Sequence, residues 1–271
     1  IFIQISDENI HHVRQIMDEI FGSSNFVALI PFRKKTMPLG TRHVEQMNDF
    51  ILFYAKDKSK LKYNKIFVNK DVRGDQDWIW YLDNNGKCHR MNEEQHQTHF
   101  GIPEGSRIYR LKSLEPSGPM LSGMFDYEFE GVNYTHPKNG YGTNIEGMKR
   151  LEKENRIQVK GSLLNYRLFL DDYPITSLTA LWNDTVGADN KTYAVQTNSE
   201  VVKRCILMTT DPGDLVLDPT CGSGTSAFVA EHWGRRWITI DTSRVPLALA
   251  RQRLLTATFP WFELKDRERG P

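Results

Sequence analysis

Apolar residues at Ile1, Ile3 and Ile5 alternate with other positions in the period of a half-buried strand. Ser6-Asp7 then offers a helix cap. Ile10, Val13, Met17, Ile20 and Phe21 recur at helical spacing, and Gly22 is placed to end that helix. Two strand-like runs follow at 25–32 and 49–54. Strand, helix, strand, strand is half of an open α/β sheet.

Residues 56–182 are rich in turns and aromatics and hold no sustained period. Their clearest predicted element is a helix opening at Thr143-Asn144-Ile145-Glu146, which has capping-box spacing, continued by Met148 and Leu151. A stretch of this kind reads as an insertion or a second domain. Regular alternation returns near residue 198. Asn198-Ser199 can cap a helix carrying Val201, Val202, Cys205 and Ile206, and Asp211-Pro212-Gly213 makes a turn. The strand Leu215-Val216-Leu217 runs into Asp218-Pro219-Thr220-Cys221-Gly222-Ser223-Gly224-Thr225. A helix is predicted over 227–233 up to Gly234, then a strand over 237–240 that ends at Asp241. The expected division is therefore 1–55, 56–182 and 183–271.

Strand, glycine loop, helix, strand and acid together make a nucleotide-type cofactor unit. Gly222, Gly224 and Ala227 satisfy the G-x-G-x-x-A spacing, a weak signal by itself. Asp218 separates the cofactors. A carboxylate at the tip of the first strand opposes the pyrophosphate of NAD, whereas S-adenosylmethionine has no phosphate and carries an ammonium and a sulfonium. Asp241 is placed to accept two ribose hydroxyls. A strand-to-helix turn without a ligand would leave both strand-end acids unexplained.

Composition narrows the classes without naming one. The 271 residues, 39% hydrophobic and 25% charged, suffice for a substantial core, and no apolar run reaches the roughly 20 residues that cross a bilayer. A cytoplasmic protein without a membrane partner is expected. Cys88, Cys205 and Cys221 are widely separated, as reduced thiols are, and Cys88-His89 with His96 and His99 matches no common zinc spacing. No metal is expected. A net charge of +1 neither demands nor excludes nucleic acid. The chain opens in mid-strand without a methionine and reads as a segment of something longer.

At residues 218–225 the sequence closely resembles the D-P-F-x-G-S-G-T signature of DNA amino-methyltransferases. The resemblance extends back through Gln196-Thr197-Asn198, which look like the motif beside the methionine moiety, and forward to Asp241-Thr242-Ser243. Ile5-Ser6-Asp7-Glu8 and the run from Asp18-Glu19-Ile20-Phe21-Gly22 to Ala28 resemble the strand and helix that follow the catalytic motif in the β-ordered class. Lys138-Asn139-Gly140-Tyr141, Gly147-Met148, residues 161–172 and Leu181-Trp182-Asn183-Asp184 resemble adenine-specific members related to type III modification subunits. The resemblance implies an α/β, Rossmann-like S-adenosylmethionine-dependent sheet with an inserted target-recognition domain, and adenine-N6 methylation of a flipped base. It also implies that Asp218 to Thr225, Asp241, Thr242 and Gln196 to Asn198 hold the cofactor.

The family transfers methyl groups with a tetrapeptide, Asp-Pro-Pro-Tyr or Ser-Pro-Pro-Tyr, whose polar groups hold the target amine and whose ring stacks on the flipped base. Neither occurs here. In β order it belongs just upstream of Ile1, on the central strand. The sheet is accordingly expected to be incomplete, no catalytic residue is assigned, and the chain alone is expected not to methylate DNA. Cys221 lies inside the cofactor loop, where its thiol need only pack.

Double-stranded DNA is the implied partner; a restriction subunit and a homodimer stay open. Arg33-Lys34-Lys35 and the alternating Lys56, Lys58, Lys60 and Lys62 are candidate phosphate contacts, although a lysine run is more often a solvated face. Tyr134, His136, Lys138, Tyr141, Asn165, Tyr166 and Arg167 are candidate groove readers. The competing functions are cytosine-N4 methylation, a non-catalytic DNA-binding module and an NAD-linked oxidoreductase.

Overall fold

A computed structural model describes residues 1–38, 40–186 and 197–259. The chain divides into two compact units, 1–67 with 177–271, and 68–176. Residues 56–67 and 177–182, expected in the inserted region, fall in the unit that begins at Ile1.

The first unit begins with β1 (Phe2–Ile5), α1 (Ile10–Phe21), β2 (Phe26–Arg33) and β3 (Asn48–Tyr54). Their sheet order is β1-β3-β2, antiparallel throughout. Helix α1 starts at Asn9, which makes no side-chain cap bond, so the expected cap at Ser6-Asp7 gives way to a turn. Gly22 ends it at φ +81°, donating its N–H to Asp18 O at 2.9 Å. Strand alternation sends Ile3, Ile5, Leu52 and Tyr54 to one face, where they pack with Met17, Val13 and Ile10 of α1. Phe2, Ile30, Phe32 and Ile51 take the other. Tyr54 donates its hydroxyl to Asp18 Oδ1 at 2.6 Å across the α1 layer; burial, with that bond, pushes the phenol up to about 12.

The second unit, with β4 (Phe67–Asn69) and β12 (Ile175–Ser177) straddling its two boundaries, holds β5 (Trp80–Leu82), β6 (Cys88–Arg90), α2 (Glu93–Thr98), β7 (Arg107–Ser113), β8 (Tyr127–Phe129), β9 (Val132–Tyr134), α3 (Ile145–Lys153), β10 (Ile157–Lys160) and β11 (Leu163–Phe169). β4 and β12, where the chain enters and leaves, pair with each other. Five strands form an antiparallel sheet, β10-β11-β7-β5-β6, that the sequence reading did not anticipate. Helix α3 is present as predicted but is capped by Asn144, whose side chain accepts from Gly147 N–H at 2.9 Å, one residue later than the Thr143 box. Met148 of α3 anchors a cluster with Leu114, Tyr127, Phe129, Tyr141, Ile157 and Leu164.

The chain re-enters the first unit through Trp182, which bridges Phe32 in parallel and exchanges backbone hydrogen bonds with the β2 edge: Arg33 N to Trp182 O, and Trp182 N to Pro31 O. Helix α4 (Ser199–Thr209), β13 (Leu215–Asp218), α5 (Thr225–His232), β14 (Arg236–Thr239) and α6 (Arg244–Thr256) complete the described chain. β13 and β14 run parallel with α5 as their crossover, a strand-helix-strand unit of Rossmann type. Helix α6 was not anticipated by the sequence reading. Helix α4 is apolar on more than one side because it has two neighbours. Val201, Cys205 and Met208 face the antiparallel sheet, whereas Val202 and Ile206 face α5 and the parallel pair. Its buried Arg204 makes a forked pair with Asp184 at 2.9 and 2.6 Å, bonds Glu200 at 3.0 Å, and lies over the Trp182 ring. The α/β class follows directly. Among the described residues β1 and β13 do not pair, so the first unit holds two separate sheets joined through α4.

Candidate functional site: the glycine bend between two acids

β13 ends at Asp218, and the chain must turn at once into α5. Ile240 N donates to Asp218 O and Cys221 N to Ile240 O, both at 2.9 Å, so the bend is laced to the exit of β14. Asp218 braces the bend from within. Its Oδ1 accepts from Thr220 N–H at 3.0 Å and its Oδ2 from the Ser226 hydroxyl at 2.6 Å. Asp241 spans the neighbouring tip, accepting from Gly222 N–H and Ser243 N–H, each at 2.9 Å. Those backbone donors, Ser243 first and Gly222 second, hold its carboxyl below the usual 3.8.

The two glycines serve different needs. At Gly224, φ +75°, a Cβ would stand 2.8 Å from the Cβ of Ala250, so close packing of α6 requires its absence. At Gly222, φ +49°, a Cβ would meet nothing within 4 Å, so the backbone conformation alone requires glycine and the surface above it is open. Pro219, Thr220 and Thr242 are exposed around the same bend. Ser223 and Thr225 are buried, and Arg253 donates to Thr225 Oγ1 at 3.1 Å. Cys221 is buried, and burial raises its thiol above the ordinary value, which favours the protonated form.

Connectivity orients α4 toward this same end of the sheet: its C-terminus leads through the turn at 211–213 into the start of β13, and Val202 and Ile206 share a cluster with Val216 and α5, so the helix N-terminus is directed toward the end where β13 stops. Asn198 caps the helix, accepting from Glu200 N–H at 2.7 Å, and Thr197 donates its hydroxyl to Gln4 Oε1 at 2.5 Å. Gln196 lies outside the described residues. The sequence reading missed Ser226 and Gln4. A serine in the first helical turn after a strand-end acid could have revealed the former; nothing local points to the latter, whose partner is 193 residues away.

The bend carries acceptors. The hydrogen bonds to Asp218 and Asp241 come from N–H and O–H groups without charge, and each carboxylate oxygen keeps a second lone pair. Such a set of acceptors fits ribose hydroxyls and a cation and opposes a pyrophosphate.

The expected DNA contacts are placed unevenly. Arg33 folds back onto the carbonyls of Lys35 and Thr36, Lys34 pairs with Asp49 at 2.5 Å, and Lys35 pairs with Glu45 at 3.2 Å. Lys58 donates to Phe26 O, Lys60 pairs with Asp57, and Lys62 pairs with Asp211 and Asp214; Lys56 is exposed. In the second unit Lys138 is exposed, Asn165 is half-buried, His136 bonds Pro137 O, and the Tyr166 hydroxyl accepts from Arg156. Two candidates are corrected. Tyr141 is buried in the α3 cluster with its hydroxyl directed to Tyr134 O. Arg167 is buried with its guanidinium on Asn155 and Gln158. Both build the core: Tyr141 packs in the α3 cluster, and the buried Arg167 engages Gln158 through Nε and Asn155 through Nη1.

The sequence profile of the N6/N4 family described as DNA methylase matches residues 1–252. The chain belongs to the DNA methylase family. Among curated members, the type II methyltransferase M.EcaI of Enterobacter cloacae is 25% identical over 250 residues, covering 90% of this chain and 50% of that protein. The probable type III restriction-modification enzyme HindVI Mod subunit of Haemophilus influenzae is 23% identical over 304 residues, covering 94% of this chain and 41% of that one. The chain thus spans about half the length, or less, of these DNA methylases. Of solved structures, the M1.HpyAVI-SAM complex aligns with TM-score 0.43 at 16% identity, covering 93% of this chain and 72% of that one. The bend at 218–225 and the acid at 241 fall inside the matched DNA methylase span.

Proposed function

We propose that this chain supplies the cofactor-binding half and the target-recognition region of a DNA adenine-N6 methyltransferase that uses S-adenosylmethionine. The observation that carries the reading is the acceptor-lined bend: Asp218 and Asp241 at adjacent strand tips, with open surface above Gly222. Asp241 has lone pairs for the ribose hydroxyls, Asp218 supplies negative charge beside the methionine part, and Gly222 lets the ligand approach the backbone. Bound there, the cofactor supplies a methyl group on a sulfonium, open to in-line attack by an exocyclic amine. Lys56 and Lys138, both exposed, suit phosphate contacts, and Asn165 and Tyr166 suit base edges or stacking. Adenine is preferred over cytosine-N4 because residues 138–172 resemble type III modification subunits. A restriction subunit as partner rests on the printed description of the Haemophilus relative.

The tetrapeptide that would stack and orient the flipped base is not among the 271 residues. The purified chain should therefore bind duplex DNA and photo-crosslink to tritiated S-adenosylmethionine, yet leave the DNA unlabelled. Robust label transfer into DNA would contradict the division of labour proposed here, and failure to crosslink would contradict the cofactor assignment.

A further inference from the structure

Gln4 is an exposed polar residue of β1 on a largely apolar strand face. Its register partner on β3 is Ile51, and Phe2, Ile30, Phe32 and Ile51 form the apolar surface around it. Two residues from Ile51 along β3, the same alternation places Asp49, which is 9% exposed. Lys34 Nζ donates to Asp49 Oδ1 at 2.5 Å, Gln4 Nε2 donates to Asp49 Oδ2 at 3.4 Å, and the Thr197 hydroxyl donates to Gln4 Oε1 at 2.5 Å. The chain of bonds starts at an ion pair and ends at the mouth of α4.

Its direction is fixed by valence. An ionised carboxylate only accepts, so Gln4 must turn its NH2 toward Asp49 and its carbonyl toward Thr197. Thr197 has one hydroxyl proton, and that carbonyl takes it. What remains on Thr197 Oγ1 is lone-pair density, an acceptor at the end of the sheet where Asp218 and Asp241 also accept.

We propose that Gln4 is a positioning residue that presents Thr197 as a hydrogen-bond acceptor to the α-ammonium group of the methyl donor, with the Lys34–Asp49 pair setting the polarity. The proposal rests on the S-adenosylmethionine reading above and adds which part of the donor Thr197 recognises. Gln4 itself touches no ligand. Replacing it frees the Thr197 proton to point outward, where it meets another donor instead of finding an acceptor.

The test is calorimetry on the full chain with two compounds, S-adenosylhomocysteine and 5′-methylthioadenosine, which lacks the amino-acid part. Gln4→Leu should weaken the first about tenfold, the scale of one hydrogen bond to a charged group, and leave the second unchanged. Should that variant fail to fold, Asp49→Asn decides, because it keeps the shape of the side chain and removes only the charge that orients Gln4; it should show the same selectivity with a smaller loss. Equal loss for both compounds, or no loss for either, overturns the proposal while the donor assignment stands. A wild-type chain that binds neither compound overturns the donor assignment itself.

Discussion

The sheets β1-β3-β2 and β13-β14 lie in one compact unit and share α4, yet their faces are treated differently. The antiparallel sheet is covered on both sides, by α1 on one and α4 on the other. Among the described residues the parallel pair is covered on one. Val216 and Trp237 pack under α4 and α5, while on the opposite face Leu215 is 52% exposed, Leu217 60%, Ile238 49% and Ile240 52%. Parallel strands are ordinarily buried on both faces. The difference separates two parts of this unit: the sheet covered on both faces carries the core, and the other carries the acids and the glycine bend at its tips.

The sharpest way to break that comparison is a pair of leucine truncations. Leu52, 1% exposed in the middle strand, should cost about 2–5 kcal/mol on Leu52→Ala, because transfer and cavity terms add at a site closed on both faces. Leu217→Ala should change stability by no more than about 0.5 kcal/mol, since that side chain already meets solvent. Denaturant midpoints measure both. Comparable losses would mean that the bare face is covered in solution and the contrast is unreal.

A smaller effect tests the joint between the sheets. Arg204 lies under Trp182, and its bond to Asp184 lowers the Asp184 carboxyl below the usual 3.8. A depressed folded value adds stability that is present above the unfolded value and lost as pH falls through the folded one. The advantage of the wild-type chain over Asp184→Asn should therefore be full at neutral pH and shrink below pH 3.8. The Asp184 side chain is 64% exposed, so the advantage should stay below about 1 kcal/mol. Unfolding curves at several pH values check the sign; an advantage that grows on acidification would exclude this pair as its source.

The legible parts of the fold were those with a local cause. Helix α1, its stop at Gly22, strands β2 and β3, and the bend at 218–225 each follow from periodicity or from a residue type that only one geometry explains. The five-stranded sheet of the second unit was not legible. Of its strands, β5 and β6 are three residues long, too short to show a period, and its order joins β11 to β7 across the intervening hairpin and helix. The candidate site residues divide in the same way. Asp218, Gly222 and Asp241 announce themselves by position, whereas the burial of Tyr141 and Arg167 depends on partners that the sequence does not place beside them. Gln4 looks like one polar residue in an apolar strand until Thr197 is brought to it.

The central claim is that the paired acids around the bend receive a cationic adenosine donor, and titration calorimetry with S-adenosylhomocysteine, repeated with NADH, tests it most directly. The account predicts saturable heat with the first and none with the second. It further predicts at least tenfold weaker binding in Asp241→Ala, whose loss removes acceptors for both ribose hydroxyls. Heat with NADH, or an Asp241→Ala chain that binds S-adenosylhomocysteine as tightly as the wild type, would contradict it.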